Sequence, residues 1–394
     1  MLKHFFLLVI ALFSFNILAQ NNYTISGYVQ DESSGENLIG VSVYDKQTYK
    51  GTASNQYGFY SLTLPQGDYV IIYSFIGYKS ITKNITLDKN TRLNVSLTSD
   101  AIIKEEVIVT GERLDKNVSS SNMSQAKIEV NNIKQLPVIL GEVDIMKAAQ
   151  LLPGIQSGGE GNSGLYVRGG GPDQNLILLD EAVVYNAAHL FGFFSVFNAD
   201  AIKDINIIKG GMPAEYGGRL SSVLDISMKD GNNKKYEVDG GIGLLSSRLT
   251  IQGPVQKEKS SFIVSGRRTY IDVLSKPFMS KDSPFNGSGY YFYDLTTKVN
   301  YRISDKDRLY LSGYFGRDVF NFGNTDNGIG IEIPWGNATT SLRWNHLFND
   351  KLFMNTSLIF SDYRFEFNIA QSEFELKIFS GINDWNTKVD FLYQ

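Results

Sequence analysis

The chain contains no cysteine. That absence excludes disulfide frameworks, thiolate metal sites, cysteine nucleophiles and a lipid-anchored cysteine. Histidine is nearly as scarce. His4, His189 and His346 are scattered, so there is no His-x-x-x-His pair and no spaced metal-ligand set. A Gly-x-Ser-x-Gly elbow is missing too, and nothing else forms a catalytic constellation, so the chain does not read as an enzyme. Proline is sparse at 9 residues while glycine reaches 37, a balance that suits strands and tight turns. The net charge is −4 with no long basic block, which removes the electrostatic footprint of a nucleic-acid binder. After residue 20 no segment is apolar for long enough to form a membrane-spanning helix. An exported chain of this kind is either water-soluble or crosses lipid as a closed β-barrel, the other arrangement that satisfies every backbone polar group there.

What the chain has instead is aromatic surface, with 22 Tyr and 25 Phe against 3 Trp. It also begins with an address. Lys3 and His4 precede an apolar run from Phe5 to Ala19, and Gln20 opens a polar start. A short basic region, an apolar core and a small residue at the cut mark residues 1–20 as a secretory signal peptide. Residues 21–99 hold short runs rich in Val, Ile, Tyr and Thr, at 23–29, 40–44, 58–64, 69–75, 80–87 and 92–97. Turn signals such as Ser34-Gly35 and Gln66-Gly67-Asp68 separate them, and this spacing predicts a small β-sandwich. Residues 100–120 form a linker containing Lys104-Glu105-Glu106-Val107-Ile108-Val109-Thr110-Gly111. Such a β-branched run can add as a strand to the edge of a partner's sheet. It reads equally as an ordinary last strand of the sandwich.

Residues 121–231 change character. Asp144 to Leu152 reads as a helix stopped by Pro153-Gly154. The glycine-dense stretch 157–164 lacks the Gly-Lys-Ser/Thr ending of a phosphate-binding loop, so its glycines are assigned to tight turns. Next come Val167-Arg168-Gly169-Gly170, the apolar strand Leu176 to Leu179 closed by Asp180, and Ile207-Ile208-Lys209-Gly210-Gly211. Glu215-Tyr216-Gly217-Gly218-Arg219 and the strand Val223-Leu224-Asp225-Ile226 follow. These blocks, in this order, resemble the plug domain of TonB-dependent receptors, the outer-membrane importers of Gram-negative bacteria. Gly58-Phe59-Tyr60-Ser61, Leu64 to Tyr69 and Gly77-Tyr78 similarly resemble the carboxypeptidase-regulatory-like domain that precedes the plug in receptors of the Bacteroidetes type. That resemblance brings no peptidase chemistry.

From residue 232 to 394 the pattern alternates with period two. Asp294, Thr296, Lys298, Asn300 and Arg302 interleave with Leu295, Thr297, Val299, Tyr301 and Ile303, and 384–393 repeats the theme. Charges on one face and large apolar groups on the other fit barrel strands with lipid outside and water inside. Further strands are expected at 241–253, 260–270, 307–318, 337–348, 351–367 and 372–380, with long connections at 276–290 and 319–334. Eight strands enclose only their own side chains, whereas a plugged transporter needs about 22. A plug therefore implies a receptor longer than this chain. The expected fold is mainly β: a small sandwich, a mixed α/β plug, then antiparallel transmembrane strands of an incomplete barrel.

The resemblance further implies partners and sites. Glu105, Glu106, Val107, Ile108, Val109 and Thr110 would be the TonB box, gripped by a TonB-type periplasmic energy-transducing protein. Arg168, Asp180, Glu215 and Arg219 would form an ionic network between plug and barrel, with Gly169, Gly170, Gly210, Gly211, Tyr216, Gly217 and Gly218 shaping the plug loops. Tyr185, His189, Phe191 and Phe193 are the residues expected to meet solute. No cofactor is implied. The remaining partners are outer-membrane lipid, a large solute (oligosaccharide, peptide, siderophore or cobalamin) and a surface lipoprotein. The alternative is a non-transporting surface or adhesion protein that uses the sandwich as its binding module.

Overall fold

The computed structural model describes residues 21–100, 125–133, 143–159, 163–189, 192–274, 276–278, 288–323, 329–371 and 373–393. The leader, the TonB-box-like residues 105–110 and Phe191 lie outside them. Residues 22–97 form two four-stranded sheets. Asn22–Asp31 pairs antiparallel with Phe59–Pro65 and parallel with Thr91–Arg92 and Val95–Leu97. The second sheet runs Gly51–Ala53, Ser42–Asp45, Gly67–Ser74, Ile81–Leu87 in spatial order. Ile25, Val29, Val43, Tyr60, Ile71, Tyr73, Leu87 and Leu97 fill the space between them. The expected strand 92–97 is split in two. Asn94 turns its side chain into the ladder, where Oδ1 accepts a hydrogen bond from the Tyr28 amide at 2.9 Å.

The plug is a five-stranded mixed sheet in the order Ala182–Val183, Asn175–Leu179, Ser222–Met228, Ile202–Ile208, Gln125–Glu129. Asn175–Leu179 and Ser222–Met228 run parallel. A sheet covered on both sides needs apolar residues in sequence rather than in alternation, and the run Leu176 to Leu179 supplies them. Ile177 and Leu179 pack with Leu224, Ile226, Ile205 and Ile207 against the short helix Ile145–Gln150. Leu176 and Leu178 face the other way, with Val223 and Ile208. Asp144 caps the helix, accepting from the Met146 and Lys147 amides at 2.8 and 3.1 Å, the role that carboxylates fill at helix starts.

The wall is an eight-stranded antiparallel meander in sequence order: Glu237–Ile242, Ser246–Gln256, Ser260–Thr269, Gly289–Arg302, Asp307–Phe322, Gly330–Leu347, Leu352–Gln371 and Phe374–Tyr393. It is open, the first and last strands each pairing on one side. The number of strands is the expected one, but two boundaries move. Residues 241–253 span two strands divided at 243–245, and 372–393 is mostly a single strand, because Gln371 pairs with Phe374 across a tight hairpin. The faces are inverted relative to a soluble sheet. Asp294, Thr296 and Lys298 are 2–3 % exposed while Leu295 and Val299 are 44 % and 42 % exposed. Leu311, Phe315, Leu342, Trp344 and Leu358 continue the exposed apolar face on neighbouring strands. The buried polar face looks onto the plug.

Leu224 sits fully buried on the central plug strand. Leu224→Ala should destabilise the plug by about 2–5 kcal/mol. The measurement is the urea midpoint at which the plug becomes protease-sensitive in the full-length receptor, with the barrel's heat-modifiable gel shift unchanged.

Candidate functional site

Leu179 pairs with Ala182, so Asp180 and Glu181 make a two-residue turn. Their φ values are 45° and 75°, a geometry that normally selects Asn-Gly or Asp-Gly. A glutamate held there is strained by roughly 1–3 kcal/mol, and its contacts over-determine it. Glu181 Oε1 accepts from Asn355 Nδ2 and from Tyr57 Oη, both at 3.0 Å, and its second oxygen accepts from Ser357. Asp180 Oδ1 accepts from the Met228 amide at 2.9 Å, and Oδ2 lies 2.9 Å from Lys298 Nζ. The same ammonium is 2.8 Å from Asp230 Oδ1, at the point where the chain leaves the plug for the wall. Burial alone would raise the Asp230 carboxyl, but Lys298 and Lys203 hold it down at about 2. One turn thus joins plug, wall and sandwich.

A second cluster forms around His189. Ala188–His189 and Phe194–Ser195 make a short hairpin whose far strand is anchored by the Ser195 amide donating to Asp144 at 2.7 Å. His189 was expected to meet solute; it is 0 % exposed. Its Nδ1 lies 2.6 Å from Asp318 and its Nε2 3.3 Å from Asp294. Arg267 reaches the same Asp294 oxygen at 2.8 Å and donates to the Ser195 carbonyl at 2.9 Å. Phe292 stacks on the imidazole at 3.9 Å, and Tyr290 donates to Asp318. Burial would depress the imidazole pKa, yet the carboxylates of Asp318 and Asp294 beside it raise it above the ordinary histidine value. Protonated, the ring balances two carboxylates and one guanidinium.

The glycine motifs have local reasons. Val167 and Gly170 exchange backbone hydrogen bonds of 3.1 and 2.9 Å around Arg168 and Gly169, whose φ values are 50° and 88°. A Cβ on Gly170 would meet Ser221 Oγ at 2.3 Å, and one on Gly210 would meet Arg168 Nη1 at 2.7 Å. Arg168 and Glu215 are exposed and Arg219 is half-buried, so of the four charges expected to share a network Asp180 alone is buried. Its partner is Lys298. Arg219 donates to the Gly218 carbonyl at 2.8 Å and lies 6.0 Å from the Tyr185 ring. Tyr185 donates to Asp384 at 3.1 Å, Phe193 is half-exposed, and Tyr216 donates to Asp225 at 3.1 Å. Burial pushes the Asp225 carboxyl up to about 6 against that hydrogen bond. Tyr185, Tyr216, Arg219, Asp225 and Asp384 line a cavity of about 430 Å³ between plug and wall, together with Lys388. Sequence reasoning missed Glu181, Asp230, Arg267, Asp294, Lys298 and Asp318 as site residues. Asp294 and Lys298 were signalled by their positions on the water-facing side of the alternating strand.

A mixed plug ion-paired to a sheet with its apolar face outward is the architecture of part of a plugged β-barrel. Residues 25–109 match the CarboxypepD_reg-like domain, and residues 118–222 match the TonB-dependent Receptor Plug Domain. The chain is 30 % identical over 55 % of its length to TonB-dependent receptor P26 of Formosa agariphila, and 29 % identical over 59 % to TonB-dependent receptor SusC of Bacteroides thetaiotaomicron. It spans 22 % and 24 % of the length of those two relatives. A structural similarity to the ferric enterobactin receptor PfeA of Pseudomonas aeruginosa has a TM-score of 0.47 at 17 % identity, covering 67 % of this chain and 45 % of that one. Together these matches support a TonB-dependent receptor of the Bacteroidetes type, a family of outer-membrane β-barrel proteins.

Two outcomes follow from the clusters. Lys298→Met leaves Asp180 buried without its ion-pair partner, and Asp230 with Lys203 in place of two cations, and should destabilise the docked plug by about 3–5 kcal/mol, read as the urea midpoint for plug release. The His189 contribution has a definite sign. A raised folded-state pKa means its stabilisation is complete below the ordinary histidine value and disappears as pH climbs through the raised one. The midpoint should therefore fall with rising pH above the ordinary histidine range, and His189→Gln should remove that component.

Proposed function

We propose that the whole protein imports a scarce solute, too large for porins, across the outer membrane. The supporting observation is a plug held in its wall by ion pairs and hydrogen bonds around Asp180, Glu181 and His189, contacts that can be remade after each opening. Similarity to the TonB-dependent receptors supports the energy source: a TonB-type periplasmic protein that grips residues 105–110 and pulls. The division of labour is a leader at 1–20 removed on export, a sandwich at 21–99, a linker at 100–120, a plug at 121–231 and wall strands at 232–394. Tyr185, Phe191 and Phe193 are proposed to face solute, whose class is an oligosaccharide, peptide, siderophore or cobalamin. The accessory sandwich tilts this towards oligosaccharides and peptides.

Strand addition at 105–110 requires backbone donors, and proline removes one while fixing φ. Calorimetry of the full-length receptor with the periplasmic domain of its TonB-type partner should show binding that Val107→Pro weakens at least tenfold. Equal binding by the variant, or none by the natural sequence, removes the importer reading and leaves a surface or adhesion protein.

A further inference from the structure

The sandwich is seated in the wall rather than hung beneath it. Tyr28 places its ring 3.5 Å from the Arg308 guanidinium, and Tyr57 sits 5.1 Å from Arg343 while stacking on Phe353 at 5.1 Å. Phe59 stacks on the other side of the same cluster, 5.7 Å from Phe353, with Leu347 fully buried among them. At the rim, Asp350 receives Ser26 Oγ at 2.9 Å on its carboxylate, Ser61 Oγ at 2.8 Å on its carbonyl, and Arg92 at 3.2 Å. These contacts gather at the end of the wall where strands are joined by the short turns 303–306 and 348–351.

Sandwich residues beside these also hold the plug. Lys203, on the plug strand Ile202–Ile208, donates to the Asn37 carbonyl and lies 3.6 Å from Glu36. Glu36 also accepts from the Asp230 amide at 2.8 Å, and Asn37 Oδ1 accepts from Arg308 at 2.9 Å. Lys127, on the plug's edge strand Gln125–Glu129, donates to the Ile39 carbonyl at 3.1 Å, and Tyr57 completes the set through Glu181. Sandwich residues therefore touch the plug sheet at its edge strand, its neighbour, its strained turn and its exit.

We propose that the sandwich is a second closure of the receptor: a lid seated in the short-turn mouth that pins the plug, and that must lift before the plug can move. The inference deepens the importer reading by assigning the accessory domain a gating role. Its seat is a buried cluster of aromatic and ring–guanidinium contacts, edged by the partly exposed contacts of Asp350 with Arg92 and Ser26. The chain between Asp100 and Gln125 joins lid to plug, so tension applied there loads both.

Residues 1–394 contain no cysteine, so within them an introduced pair is unique. Cells carrying the full-length receptor are challenged with vancomycin, which an intact outer membrane excludes. Tyr28→Ala combined with Tyr57→Ala should raise vancomycin sensitivity at least fourfold at unchanged receptor level. Adding Ser26→Cys and Asp350→Cys and bridging them, by disulfide or by a short bismaleimide, should restore exclusion, and reducing the disulfide should abolish it again. Unchanged sensitivity in the unseated variant, or a bridged lid that fails to restore exclusion, overturns the proposal. Leak needs neither solute nor energising partner, so this result and the partner-binding result fail independently.

Discussion

A sheet that turns its hydrocarbon outward must do something with the polar side chains it turns inward. Every second residue of the wall strands faces a space from which lipid is excluded, and the polar groups lining it need partners or water. Here the plug supplies many of those partners. Lys298 is neutralised by Asp180 and Asp230, Arg267 and His189 share Asp294 with Asp318 alongside, and Asn355 and Ser357 donate to Glu181. The interface is therefore specified largely by matched charge, with Phe194 of the plug packing among Tyr290, Phe292 and Trp335 of the wall, and the plug's register against the wall follows from where those charges stand.

This arrangement explains the split character of the plug. Its own sheet is held by apolar packing on both faces, with Leu224, Ile226 and Ile205 at the centre, while its loops and turns carry the polar anchors. Burying ion pairs contributes little net stability compared with apolar residues of similar shape, but breaking one side of a pair is costly. A body so constructed stays folded as a unit and is sensitive to the integrity of a few contacts at its edges. Strain at Asp180 and Glu181 is tolerated because both carboxylates are fixed from several directions at once.

Much of the architecture was legible in the chain because each layer uses a different periodicity. Period two with charges opposite aromatics marked the wall, continuous apolar runs marked the plug sheet, and evenly spaced turns marked the sandwich. The ordered glycine blocks carried the family resemblance. Partner choice was less legible. Asp180 was singled out by its motif, but Lys298 lies more than a hundred residues away on another element, and no local pattern pairs them. Arg168 and Arg219 look equivalent to Asp180 in sequence, yet both sit on turns whose geometry turns them elsewhere. His189 read as an apical ring because its neighbours are aromatic, whereas Phe292 and the two aspartates that enclose it come from the wall. Glu181 was hidden for a different reason, since nothing local reveals that a glutamate will be forced to positive φ.

The strand lengths carry a consequence for the cell surface. Leu352–Gln371 and Phe374–Tyr393 have 20 residues each, which at about 3.3 Å per residue is roughly 66 Å of strand. Inclined near 45°, that is still close to 45 Å of height against an apolar band of about 25 Å. The cluster of Trp344, His346, Phe348 and Phe391 sits near the seated sandwich and marks one lipid boundary. The surplus height falls at the end away from the sandwich, where Gln371 and Phe374 close the last hairpin, so the wall there stands taller than the apolar band it has to cover.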